Sequence, residues 1–256
     1  MEAESSEDGS MATTSATGSE QDRTGLFRIA TGAGVGLAAA MLAIVVPVAF
    51  LLIASYDAFG FLSLHQTAFL DATALLILAG ALLFLVSLFF YRRGFALLRK
   101  VDPRFTVASI LCLIGTLGFI LVLIAAVVIV GSASSLLSCI SGQPTHALTC
   151  LRSGQPLGAY TGLVGFWLGW LGGVGIVLGL STGSSRFKTR EVGLGAALYA
   201  ILLLALVGPF VALVVSFPGV EFLLLLVPFL AVLAPLFVFR GADRARSSAP
   251  ATPSAN

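Results

Sequence analysis

The chain alternates long apolar runs with short polar breaks, and six of the runs are long enough to cross a bilayer. They extend from about Ile29 to Ser55, Asp71 to Tyr91, Val107 to Val130, Leu157 to Leu180, Val192 to Ser216 and Glu221 to Phe239. A helix needs about 20 mostly apolar residues to cross about 30 Å of hydrocarbon, because every backbone amide must be bonded within its own segment where no water is available. The last two runs are parted only by Phe217-Pro218-Gly219, but Val192 to Arg240 is too long for one crossing and must fold back as a hairpin. The pattern predicts an all-α, polytopic bundle of six spans over residues 29–240. Polar tails, 1–28 and 241–256, flank it and hold too little apolar surface to fold alone.

Composition supports lipid as the solvent. Of the 256 residues, 58% are hydrophobic and 10% are charged, against about 25% charged in soluble domains, and the mean hydropathy is +1.04. The amino-terminal tail is rich in Ser, Thr, Gly and acid, and no basic start leads directly into an apolar core as in a signal peptide. The first apolar segment is therefore expected to remain as an anchor. Met11 offers a second start that would remove Glu2, Glu4, Glu7 and Asp8.

The formal net charge of +2 gives no reason to expect nucleic acid as a partner, but the positions of the charges are informative. Loops rich in Lys and Arg are retained on the cytoplasmic side. Arg23 and Arg28 precede the first span; Arg92, Arg93, Arg99, Lys100 and Arg104 follow the second; Arg186, Lys188 and Arg190 follow the fourth; Arg240, Arg244 and Arg246 follow the sixth. Only Arg152 falls on the other side. The expectation is a multi-pass protein of the cell membrane with both termini cytoplasmic. Arg92, Arg93, Arg99 and Lys100 should rest on anionic lipid headgroups.

This orientation places Cys139 and Cys150 together in the longest outer loop, where oxidising conditions favour a disulfide between them. The loop carries Ser-Gly-Gln-Pro twice, each time soon after a cysteine, which reads as turn chemistry. Cys139, His146 and Cys150 make a possible soft-metal set, but without a clear fourth ligand the disulfide-braced turn is the simpler reading. Cys112, inside the third span, reads as a small apolar packing residue.

Gly158, Gly162, Gly165, Gly169, Gly172, Gly175 and Gly179 step by three or four along the fourth span and leave one helical face bare. Such a face lets two backbones approach within lipid. Close packing inside the monomer is the plainer reading; a subunit interface or a substrate path is the other. Trp167 and Trp170 sit mid-segment and read as packing residues. Pro47, Pro209, Pro228 and Pro235 lie inside spans and should bend them.

Ionisable groups within a span are the default functional candidates of a membrane protein. Asp71 and Glu221 fall at the expected starts of their helices, where a carboxylate also caps free amides. With Asp57 and His65 in the preceding outer loop, they form a possible outer ion or proton site. No arrangement of nucleophile and base, GxSxG or HExxH can be assembled from this chain, so neither catalysis nor a cofactor is expected.

Tyr91-Arg92-Arg93-Gly94-Phe95 leads through a basic loop to a span with Gly115 and Gly118. A glycine-rich fourth span and a late Pro-Gly hairpin follow. This series resembles an archaeal family of multi-span membrane proteins of uncharacterised function, over most of the chain beyond the tail. The resemblance implies a helical membrane fold and supplies no activity or catalytic residue. Two functional expectations follow from the residues: a non-enzymatic accessory or scaffold protein, acting as a homo-oligomer or beside a membrane partner, and a small transporter or channel using the outer acidic residues.

Overall fold

The computed structural model describes residues 20–42, 61–130, 156–215 and 220–248. Among them are six helices long and apolar enough to cross a membrane: α1 (Glu20–Leu42), α2 (Phe61–Leu98), α3 (Phe105–Val130), α4 (Pro156–Phe187), α5 (Arg190–Val215) and α6 (Val220–Ser248). The described residues contain no strand. The protein is an all-α, multi-span membrane bundle.

Several helices run further than their apolar runs. α1 opens at Glu20 within the expected tail, α2 continues to Leu98, α4 to Phe187 and α6 to Ser248, also within an expected tail. Counting apolar residues finds the hydrocarbon crossing alone. The backbone stays helical beyond it, because Arg and Lys lay their stems along a helix while their heads reach water. α2 also begins earlier than expected, at Phe61, so His65 and Asp71 both belong to it, and no acidic residue occupies its first turn. Asp71 therefore does not cap a helix start, and His65 does not lie in a loop. The stretch Phe61 to Leu70 is itself apolar enough to extend the helix.

Each helix packs against its neighbours in sequence, and the last returns to the first. α3 and α4 form the most extensive contact, followed by α5 with α6, then α2 with α3 and α4 with α5. α1 meets α2 where the Ser87 hydroxyl donates to the Gly32 carbonyl at 2.7 Å. The ring closes where Phe239 of α6 lies over Gly34 and Arg246 stacks on the Phe27 ring at 4.7 Å.

The glycines of α4 explain the tightness of the α3–α4 contact. A methyl group on Gly172 would overlap the Cα of Gly115, and one on Gly165 would stand 2.8 Å from both the Gly118 carbonyl and the Val122 amide. Gly175 lies against the Cys112 amide, and Gly179 accepts the Phe95 ring of α2. Cys112 is buried in this contact as a free thiol. Backbone meets backbone here because lipid provides little hydrophobic drive between helices and dispersion contact must hold them.

Two short turns join helices at one end. Between α2 and α3 the Asp102 amide donates to the Leu98 carbonyl, and the Asp102 carboxylate accepts from the Arg104 amide at 3.0 Å, capping α3. Between α4 and α5 the chain reverses through Lys188, whose φ of 51° is left-handed, and the Ser184 hydroxyl donates to the Thr189 carbonyl. Every Lys, Arg, Asp and Glu whose side chain is described lies near this end. It is a collar of thirteen basic and five acidic residues.

Gly172 and Gly169 allow a direct test, since nothing lies within 4 Å of a methyl group added at Gly169. Gly169→Ala should be neutral or stabilising by up to about 1 kcal/mol through helix propensity. Gly172→Ala should destabilise by about 1–3 kcal/mol through overpacking. Thermal unfolding of both variants in the same detergent compares them.

Candidate functional site

The ring is plugged at its charged end. Tyr91, Phe95 and Leu98 of α2, Phe105 of α3, Leu180 of α4 and Val238 of α6 are all essentially inaccessible. The Phe95 ring stacks between Tyr91 and Phe105, with centroids 6.1 Å from each. The Tyr91 and Tyr199 hydroxyls face each other at 3.4 Å, which links α2 to α5 across the bundle.

Beyond this floor the ring opens into a partly open chamber of about 480 Å³ to which all six helices contribute. Gly36 and Ala39 of α1, Gly80 and Phe84 of α2, Phe119 of α3, Gly173 and Ile176 of α4, Leu203 of α5 and Ala231 of α6 are among its walls. Tyr199 brings the one side-chain hydroxyl in the lining. Left empty, such a space would deny the atoms of its walls their dispersion partners. Water is a poor filler, because a buried water needs two to four polar partners.

Small residues make the chamber. A methyl group on Gly36 would press to 2.9 Å on the Ser87 hydroxyl and one on Gly173 would overlap Leu203, whereas at Gly80 it would meet ordinary contacts at 3.7 Å. Trp170 stands behind the wall, its indole N–H donating to the Leu203 carbonyl at 3.2 Å. Trp167 packs edge-on against Trp170 but is 44% exposed, so it faces lipid as well as protein.

At the charged end a guanidinium holds three elements together. Arg186 of α4 pairs with Asp22 of α1 at 2.8 Å and with Asp102 of the α2–α3 turn at 3.4 Å. The second oxygen of Asp22 is buried without a hydrogen-bond partner. Glu191, in the first turn of α5, pairs with Arg244 of α6. Sequence reading missed both sets, because the partners are far apart in the chain and acidic residues beside a basic loop resemble ordinary solvated charges.

The sequence-derived candidates distribute as follows. Gly158 is buried, and Gly162, Gly165, Gly172 and Gly175 line the α3–α4 contact. His65 and Asp71 are six positions apart in α2, and Glu221 is the second residue of α6; the surroundings of these three side chains lie outside the described residues. So do Asp57, Pro47 and the expected Cys139–Cys150 pair. Pro209 falls within α5, Pro228 and Pro235 within α6, and Pro235 is fully buried. Among the described residues no group of three or more His, Cys, Asp or Glu side chains is placed to hold a metal ion. Comparison with models of protein families, with characterised proteins and with solved structures finds no match.

Arg186→Gln should leave two carboxylates facing each other and lower stability by about 1–3 kcal/mol. Arg186→Lys should recover part of this, since a single ammonium cannot present the forked donors that reach two carboxylates. Unfolding midpoints of the two variants at low and high salt would show it, with the deficit of the Gln variant shrinking as salt rises.

Proposed function

We propose that this is a non-enzymatic membrane protein that works as an accessory or scaffold subunit, its helical body being the functional part. The observation that supports this reading is the interior: a chamber walled almost entirely by hydrocarbon, with the described charged side chains held apart from it at one end. A path for ions needs groups that replace the hydration shell along the pore, and the described walls offer one hydroxyl. The basic collar is the cytoplasmic face, bringing both termini to that side. Its residues Arg92, Arg93, Arg99 and Lys100 rest on anionic headgroups, and Arg93 already lies over the Phe89 ring at 4.5 Å, an arrangement suited to the interface.

The test is reconstitution into liposomes. Wild type and Asp71→Asn should give the same proton, Na⁺ and K⁺ flux as empty vesicles. Flux that needs Asp71 would replace this reading with a transporter built on Asp57, Asp71 and Glu221. Orientation is tested separately with Arg99→Cys in a chain whose Cys139 and Cys150 are Ser. An impermeant thiol reagent should label Arg99→Cys only after the cells are opened, and labelling of intact cells would reverse the topology.

A further inference from the structure

We infer that the central chamber is a binding site for the hydrocarbon chain of a bilayer lipid, taken from the leaflet opposite the basic collar. Along α2, Arg93 marks the collar, and the chamber wall runs from Phe84 to Leu76. At a rise of 1.5 Å per residue these positions lie roughly 14 and 26 Å from Arg93, in the middle and far side of a core about 30 Å thick. Along α5 the wall runs from Tyr199 to Leu206, a depth of ~10 Å. The pocket is closed toward the collar by Tyr91, Phe95 and Phe105, so a guest does not come from that side.

The chemistry of the walls then selects the guest. A volume of about 480 Å³ falls within the range of ligand pockets, about 300–1,000 Å³. The lining carries no Asp, Glu, His, Lys or Arg, and its single hydroxyl, on Tyr199, faces the hydroxyl of Tyr91. Such a site has nothing to offer an ion, a sugar or a phosphate, whereas a flexible uncharged chain is complementary to every wall. A headgroup would stay outside the far end, where no described basic residue lies, so the site selects the chain and not the headgroup charge. This goes beyond the scaffold reading, and lipid retention is measured independently of ion flux.

The first test is native mass spectrometry of the protein released from mild detergent. One lipid per chain should survive on the wild type. Retention should fall at least tenfold in Ala81→Phe and in Ala231→Phe, which add bulk at two lining positions, one on α2 and one on α6. Helicity and a single elution peak establish that each variant folds, and either one suffices.

The second test needs no filled variant. Trp167→Phe leaves Trp170, behind Leu203, as the single indole. Phosphatidylcholine with dibrominated chains should quench it in a saturable step at one lipid per chain, above the gradual quenching by lipid around the bundle. Lipid retained equally by both folded filled variants, or quenching with no saturable step, would overturn the site. Recovery of a phosphorus-free isoprenoid in place of a bilayer lipid would overturn the source.

Discussion

The bundle depends on the approach of α3 to α4 at Gly115 and Gly172, where two backbones touch with no side chain between them. In water, two apolar helices associate because water rejects them, but a bilayer welcomes Leu, Ile and Val as readily as another helix does. Contact must then be gained from dispersion, which fades steeply with distance and so rewards closeness. Phe95 of α2 packs on the bare surface of α4 at Gly179. Tyr91 in turn reaches Tyr199 of α5. The floor thus shares the glycine face of α4 with the seam, since Gly179 continues the run of Gly165, Gly172 and Gly175.

The same small residues have two effects in two places. Where glycine faces glycine the helices close; where Gly36, Ala39, Gly80 and Gly173 line the chamber, they bring little bulk to its walls. Closing a ring of six helices leaves a middle too wide for short side chains to occupy. The aromatic residues Tyr91, Phe95 and Phe105 fill one end of that middle, and the other end is left as the chamber.

Fold class could be read from the sequence because the lipid constraint acts on runs of about twenty residues, which chance rarely produces. The grouping of the basic residues at one end was equally plain in the spacing of Arg and Lys. The glycine steps of α4 announced a close contact without naming the partner, since Gly115 and Gly118 are only two small residues in an apolar run. Helix ends were misread at Glu20, Phe61 and Ser248, because hydropathy reports the solvent while helicity follows backbone bonding. The chamber and the Arg186 clasp were not readable at all. Each gathers residues from distant segments, and single positions such as Gly80, Ala231 or Asp22 carry no local mark of it.

The confinement of charge to the collar has an electrical consequence. A membrane potential does work of about 2.3 kcal/mol on each elementary charge moved through 100 mV, and this is how voltage reshapes proteins that carry charge at mid-depth. The described side chains place none there: Arg186, Asp22, Asp102, Glu191 and Arg244 are bound to one another at the edge of the field. The described side chains therefore give a membrane potential no formal charge at mid-depth to act on.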